Sequence, residues 1–208
     1  MENLARPSRV LATRKSPVAA MSGLHRKLKI GVMGSARAEM SESEVERLTG
    51  LATRLGQVIA ERGCVLVTGA TTGFPDVASR AARRQGCLTV GISPASSREE
   101  HISRYSLPDD GVDVIIYTGF GLKGRNVINV RSSDVVIILG GGIGTLNEFT
   151  IAYDEGKVVG VLEGTGGAAD QIRNIEAIST RREGSTLLFE SSPEALIDNC
   201  LRMLGERV

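Results

Sequence analysis

A strand-like run that ends in glycines is the part of this sequence best suited to chemistry. Five aliphatic residues, 135–139, lead into Gly140-Gly-Gly-Ile-Gly-Thr145, and Glu148 follows. This order predicts a strand, a tight turn and a helix with Thr145 as its N-cap, and the free N–H groups of a helix start bind anions. Glycines also let a ligand approach the backbone closely. The predicted phosphate ligands are Gly141, Gly142, Gly144 and Thr145.

Two charged residues are candidates for catalysis beside this turn. Glu148 could stabilise a ribosyl cation or position a water molecule, as carboxylates do in glycoside hydrolysis, and Arg125 could hold a phosphate or the departing base. Arg125 follows the predicted fourth strand and Glu148 the fifth, so we expect the two loops to be neighbours. Each residue has a structural alternative. Thr145-x-x-Glu148 is itself a capping box, and Arg125 could be a solvated charge at a helix end.

Further glycine turns follow other predicted strands. Gly34 and Ser35 follow the first strand, and Gly69 and Gly73 follow the second, so all four are predicted to contact the ligand. The run Gly119-x-Gly121-x-x-Gly124 matches the dinucleotide fingerprint in form only. No acidic residue ends the next strand, and the Lys-Ser/Thr pair of a P-loop is absent after the last glycine. This run is either a flexible turn or a turn that positions Arg125.

Strand-like and helical patterns alternate from residue 27 onwards, which predicts one doubly wound, mainly parallel α/β domain over residues 27–208. Several strands are apolar on both faces, as expected when helices cover both sides of a parallel sheet. Ligands of such sheets bind at the carboxyl ends of the strands, where these glycine turns fall. The predicted strands are 28–33, 64–68, 88–92, 112–117, 135–139, 158–162 and 186–189.

Composition limits the partners. The chain has 208 residues, 41% hydrophobic content and a net charge of +1, which gives no case for a nucleic-acid or membrane surface. Residues 1–26 are basic and aperiodic, and they predict a disordered extension or a sequence upstream of a true start at Met21. An organelle transit peptide is the alternative.

Metal-ligand spacing is absent. The three cysteines fit buried thiols in a reducing, cytoplasmic compartment, and the two histidines are predicted to be isolated surface residues. We therefore expect no metal and no cofactor. The residues concerned are Cys64, Cys87, Cys200, His25 and His101.

A family resemblance is carried by the pattern Arg125-Asn126…Arg131…Asp134…Gly140-Gly-Gly-x-Gly-Thr-x-x-Glu148. It resembles the signature of the "Lonely guy" proteins of the SLOG superfamily, also labelled lysine-decarboxylase-like. The runs 31–35 and 68–73 resemble the family's first two glycine turns, and the resemblance covers about residues 30–205. It implies a Rossmann-like homodimer, with its site near the interface, that cleaves the N-glycosidic bond of nucleoside 5′-monophosphates, including cytokinin precursors.

Three departures from that pattern bring a second family into view. Gly140 replaces a proline, Asn126 replaces a lysine, and Phe74-Pro75 replaces Leu-Met. The sequence thereby also resembles molybdenum-cofactor carrier proteins, which bind a pterin phosphate without catalysis. Two hypotheses follow: a phosphoribohydrolase acting on a purine nucleoside 5′-monophosphate, or a carrier or sensor of a nucleotide or molybdopterin-type phosphate. A structural subunit with a vestigial site is a third. The first two predict a small-molecule ligand and a homo-oligomer, either a dimer or a dimer of dimers.

Overall fold

The computed structural model describes residues 26–34, 40–178 and 185–206, in which seven strands alternate with seven helices. The predicted extension, apart from Arg26, and the predicted ligand residue Ser35 lie outside these ranges. The strands are β1 (Lys29–Gly34), β2 (Val65–Thr68), β3 (Thr89–Ser93), β4 (Val114–Tyr117), β5 (Val135–Leu139), β6 (Val158–Leu162) and β7 (Thr186–Glu190). The helices are α1 (Glu42–Glu61), α2 (Phe74–Arg84), α3 (Arg98–Ser103), α4 (Gly121–Arg131), α5 (Ile143–Asp154), α6 (Gly167–Ile178) and α7 (Pro193–Gly205).

All strands form one parallel sheet in the order β4-β3-β2-β1-β5-β6-β7. This confirms the predicted doubly wound α/β fold, with a sheet that is wholly parallel. The first strand, β1, lies in the middle of the sheet, and the strand order reverses between β1 and β5. A crevice for ligands is expected outside the carboxyl ends of these two strands. There Gly34 of β1 pairs with Leu139 of β5.

Helices cover both faces of the sheet, and β5 shows why its sequence is apolar throughout. Alternate residues Val135, Ile137 and Leu139 pack with α1, α2 and α7, whereas Val136 and Ile138 pack with α5 and α6. Each of the five is fully buried, as expected of a central parallel strand. Among the described helices, none is both long and apolar enough to cross a lipid bilayer.

Two helices begin at the serine caps that the sequence predicts. Ser41 and Glu44 form the predicted capping box of α1, and Ser192 caps α7 before Pro193. A serine hydroxyl satisfies N–H groups that the first turn leaves unpaired, so the sequence marks these starts clearly.

The long connection after β3 contains the short helix α3 (Arg98–Ser103), and one residue of this helix contradicts a prediction. His101, predicted to be a surface residue, is fully buried on this helix. Its Nδ1 lies 2.8 Å from the Ser93 hydroxyl and its Nε2 lies 3.0 Å from the carbonyl oxygen of Pro108. The imidazole is buried because it joins the returning loop to the end of β3.

The run of glycines at 119, 121 and 124 is not a flexible turn. The N–H groups of Gly119 and Gly121 donate to the carbonyl oxygens of Ala95 and Pro94, at 2.8 and 3.0 Å. Helix α4 begins at Gly121, inside this run. The run therefore anchors α4 to the loop after β3.

Candidate functional site

A cavity of about 300 Å³ opens where β1, β2 and β5 end. Its walls come from these strand ends and from the first turns of α2, α4 and α5. Most of the predicted site residues line it, namely Gly34, Gly69, Arg125, Gly142, Gly144, Thr145 and Glu148. Gly73 and Gly141 are not among its lining residues. The fold therefore brings seven of the residues predicted from the sequence into one cavity.

Arg125 and Glu148 form an ion pair in the wall of this cavity. Nη1 of Arg125 donates to Oε1 of Glu148 at 3.2 Å, and each side chain is only 7% exposed. The argument that predicted this contact was wrong, because β4 and β5 are separated by three strands. The residues meet because α4 crosses over β3 and packs against α5.

The start of α5 differs from the prediction. Its N-cap is Gly142, no side chain caps it, and Thr145 lies in its first turn rather than at the cap. Gly140 and Gly141 have φ of +60° and +99°, so the chain turns early and the helix begins before Thr145. The first-turn N–H groups are thus left without a capping side chain and remain available to an anion.

The capping-box alternative for Glu148 is also wrong. Its carboxylate accepts hydrogen bonds from two side chains of α4, Arg125 and Asn129, rather than from the N–H group of Thr145. Both bonds reach Oε1. Within the described residues no hydrogen bond is made by Oε2, although Glu148 lines the cavity. Among the described residues, one oxygen of this carboxylate is therefore anchored and the other has no partner.

Two lining glycines provide space rather than flexibility. A Cβ at Gly69 would lie 2.3 Å from Nη1 of Arg125, so only glycine leaves room for the guanidinium there. A Cβ at Gly34 would lie 2.4 Å from the carbonyl oxygen of Leu139, which would separate β1 from β5. By contrast, a Cβ at Gly142 or Gly144 would meet no atom within 4 Å.

Gly141 does not line the cavity, but it packs against Thr145 and bonds to the start of α6. A Cβ at this position would lie 2.4 Å from the Thr145 side chain, and its carbonyl oxygen accepts the N–H of Ala168 at 2.7 Å. Ala169 donates likewise to Gly140, so the start of α6 holds the glycine turn in place. Gly73, with φ of +97°, is the N-cap of α2.

The cavity wall is rich in polar groups with unused bonding capacity. Nε of Arg125 is buried without a partner, and no hydrogen bond of the Thr145 hydroxyl occurs within the described ranges. Burial raises the pKa of Glu148, although Arg125 and Asn129 oppose the rise. Burial likewise lowers the pKa of Arg125 against the attraction of Glu148. The attraction between the two charges therefore does not fully offset the cost of removing them from water.

Two asparagines of α4, Asn126 and Asn129, contact residues of the site, and neither was predicted from the sequence as a site residue. Asn129, fully buried, donates from Nδ2 to Oε1 of Glu148 at 3.1 Å and to Sδ of Met33 at 2.9 Å. Asn126 donates to Oδ1 of Asn147 at 2.9 Å. Helical spacing was the available signal, because Asn129 follows Arg125 by four residues on one face of α4. No metal-binding group of three or more His, Cys, Asp or Glu occurs among the described residues.

Comparison with known proteins places this geometry in a family. The model of the SLOG cluster4 family matches residues 27–197. A protein of Archaeoglobus fulgidus described as uncharacterized is 37% identical over 136 residues, which are 65% of this chain and 80% of that protein. The cytokinin riboside 5′-monophosphate phosphoribohydrolase of Mycobacterium tuberculosis is 36% identical over 111 residues, which are 52% of this chain and 56% of that protein.

One solved structure extends the similarity over almost the whole domain. The molybdenum cofactor binding protein of Rippkaea orientalis superposes with a TM-score of 0.63 at 32% identity, covering 88% of this chain and 98% of that chain. These matches confirm the SLOG resemblance predicted from the motifs. Because the family model covers most of the sequence, the chain belongs to the SLOG cluster4 family.

Proposed function

We propose that this protein binds a nucleoside 5′-monophosphate in the cavity and hydrolyses its N-glycosidic bond. The observation that carries the proposal is the buried Arg125–Glu148 pair, in which Nε of the arginine and Oε2 of the glutamate have no partner within the described residues. A binding site that only held a phosphate would need the glycine turn but not a buried carboxylate. In the reaction a water oxygen bonds to C1′ of the ribose, the C1′–N bond breaks, and the base takes up a proton.

The start of α5 is the proposed phosphate site. Its uncapped first turn offers the N–H groups of Gly142–Thr145, and the Thr145 hydroxyl adds a donor. Lys123 also lines the cavity, is exposed and forms no ion pair among the described residues, so its ammonium can approach the same anion. Together these groups supply the positive potential and the donors that a phosphate requires.

Glu148 and Arg125 are the proposed catalytic residues. With Oε1 anchored, Oε2 is free to stabilise an oxocarbenium-like ribose or to orient the attacking water. The unpartnered Nε of Arg125 can donate to the phosphate or to the departing base. The phosphoribohydrolase relative from Mycobacterium tuberculosis supports this assignment, since its name states the same reaction class.

The second candidate is a carrier that holds a nucleotide or pterin phosphate without turnover. It is favoured by the Rippkaea orientalis structure, a molybdenum cofactor binding protein of which this chain covers 98%. A carrier would use the α5 turn in the same way, whereas Glu148 would have no chemical step to perform.

Release of free base separates the two candidates. The protein is incubated with AMP, GMP, IMP and their unphosphorylated nucleosides, and the products are resolved by chromatography. The hydrolase predicts free base and ribose 5-phosphate from a monophosphate and far less base from the nucleoside. If prolonged incubation yields no base from any monophosphate, the carrier takes precedence. Mass spectrometry of a copurifying ligand then identifies its cargo.

The proposed assembly is a homo-oligomer, either a dimer or a dimer of dimers. Val114 and Ile116 lie on the same face of the edge strand β4 and are 45% and 47% exposed, and the adjacent Phe120 is 68% exposed. The neighbouring Leu122 is also exposed and lines the cavity, so a second copy of the chain seated here would lie at the site. Sedimentation at increasing concentration tests this assembly.

A cytoplasmic location is proposed from the cysteines. Cys64, Cys87 and Cys200 are all buried, and none of them forms a disulfide within the described residues. Burial raises the pKa of each thiol, that of Cys200 to about 12, so the thiolate is suppressed. Unpaired thiols are typical of a reducing compartment. Fractionation of the native cells tests the assignment.

A further inference from the structure

The carboxylate of Glu148 is held asymmetrically. Oε1 accepts two hydrogen bonds, from Nη1 of Arg125 at 3.2 Å and from Nδ2 of Asn129 at 3.1 Å. Oε2 has no bond within the described residues. A carboxylate that is fixed at one oxygen has a defined direction for the other, and in Glu148 the free oxygen belongs to a side chain that lines the cavity.

Arg125 cannot be the only anchor if it also binds the ligand. Its Nη1 bonds to Glu148, whereas its Nε has no partner among the described residues, so an anion that binds at Nε can draw the guanidinium away from the carboxylate. Asn129 has no such conflict. It is fully buried, does not line the cavity, and is joined on the other side to Sδ of Met33. Its hydrogen bond to Glu148 therefore persists when Arg125 turns to a ligand.

This arrangement leaves the amide of Asn129 only partly hydrogen-bonded. Both hydrogens of its Nδ2 are used, and its buried Oδ1 has no hydrogen-bond partner in the part of the chain that the structure describes. An ionised carboxylate only accepts hydrogen bonds, so the amide must direct its nitrogen, not its oxygen, at Oε1. Residues chosen for stability do not leave a buried acceptor unsatisfied.

We propose that Asn129 is a positioning residue for Glu148: its hydrogen bond to Oε1 favours the ionised carboxylate and fixes it so that Oε2 faces the substrate. The inference rests on the proposed catalytic role of Glu148. The charged side chains that act on this carboxyl are Arg125 and Lys123, both from α4. Asn129 is the neutral donor that acts on it from the same helix.

The test replaces Asn129 by leucine, which has a similar shape but no donor, with Asn129→Ala as a second variant should the leucine not fit. Asn199→Leu is the matched control. Nδ2 of Asn199 donates to Oε1 of Glu190 over 2.8 Å, and neither residue lines the cavity. Carbon-13 NMR of glutamate labelled at the carboxyl follows the titration of Glu148, and the Glu148→Gln spectrum identifies its resonance. Chromatography of released base gives kcat and KM for AMP across pH.

The expected result is a Glu148 pKa raised by about one pH unit in Asn129→Leu, because a hydrogen bond to the charged form is lost. The acid limb of the pH–rate profile should move by the same amount. At neutral pH kcat should fall about 10-fold with KM unchanged, and the melting temperature should be equal or higher. Asn199→Leu should change neither the titration nor kcat.

Two results would overturn the proposal. One is an unchanged Glu148 titration in both Asn129 variants. The other is a loss of kcat that leaves the pH profile in place and accompanies a lower melting temperature, as a merely structural residue would give. If the unmodified protein releases no base from any monophosphate, the hydrolase proposal fails. The NMR titration still decides whether Asn129 sets the state of Glu148.

Discussion

Glu148→Gln is the substitution that best separates chemistry from structure at this site. The glutamine carbonyl can take the position of Oε1 and accept the same two hydrogen bonds, from Arg125 and Asn129. Its amide nitrogen then replaces Oε2, which has no partner among the described residues. The variant therefore keeps the shape and the anchoring of the side chain and removes only its negative charge.

Two opposing terms set the stability of this variant. The attraction lost at 3.2 Å is roughly 5 kcal/mol at an effective dielectric constant of about 20. The desolvation of a buried carboxylate is regained, and it exceeds the attraction, since burial raises the pKa of Glu148 despite Arg125. We therefore expect the free energy of unfolding to change by at most about 1 kcal/mol, a shift in melting temperature of about 4 °C or less. Turnover should fall by about 10²-fold or more.

The matched control is Glu155→Gln. Oε1 of Glu155 accepts from Nε of Arg131 at 2.7 Å, which is also an ion pair between α4 and the end of α5, but the Arg131 side chain is 66% exposed. This variant should change neither turnover nor melting appreciably. Normal base release by Glu148→Gln would refute the catalytic role, and a loss of more than about 5 kcal/mol would mean that the pair holds the fold together.

The same variant carries a pH signature. A carboxyl whose folded-state pKa is raised contributes stability below its unfolded pKa of about 4.3 and loses that contribution as pH rises through the folded-state value. Relative to Glu148→Gln, the unmodified protein should therefore become less stable between about pH 4 and neutrality. Melting curves of the two proteins across this interval measure the difference, and a difference of the opposite sign would show that Arg125 over-compensates the burial.

Three further predictions concern the cavity and the assembly. Gly144→Val should abolish AMP binding in calorimetry while melting stays close to normal, because a Cβ there meets no atom within 4 Å, and Gly50→Val, at an equally open position of α1, should leave binding intact. Gly69→Ala should depress turnover by displacing the guanidinium of Arg125, and it should have no further effect in an Arg125→Ala background, whereas additive losses would contradict this coupling. Ile116→Lys should dissociate the proposed oligomer in sedimentation, and an unchanged sedimentation coefficient would contradict an interface at β4.

Strands were easier to predict than helix starts. The bounds of β5 and β6 follow directly from runs of apolar residues between glycines or charged residues, because a buried parallel strand tolerates little else. Helix α1 begins where its serine cap predicts. Helix α5 begins before Thr145, since glycines with positive φ, and not a capping side chain, determine its start. A glycine marks a turn in the sequence but does not show on which side of it the helix begins.

The meeting of Arg125 with Glu148 was predicted from the wrong strand order. Sequence alone shows that both residues follow strands, and it does not show that β4 lies at the far edge of the sheet. The path of α4 across β3 brings Arg125 to α5, and that path depends on the anchoring of Gly119 and Gly121 to the loop after β3. Such long-range contacts leave no periodic signal: helical spacing places Asn129 on the same face of α4 as Arg125, but it does not show that this face meets Glu148.

The distribution of unsatisfied polar groups is itself an argument for function at this site. In the part of the chain that the structure describes, buried polar side chains away from the cavity are bonded, as the hydroxyls of Ser79 and Thr165 show with their carbonyl partners at 2.9 and 2.6 Å. Among the described residues the two buried side-chain atoms without a partner are Nε of Arg125 and Oδ1 of Asn129. Both belong to side chains that bond to Glu148. A protein selected for stability alone would remove such costs with apolar residues. Their concentration around one carboxylate, beside an uncapped helix start, is the physical reason for placing the proposed ligand here, because a ligand could supply the partners that these atoms lack.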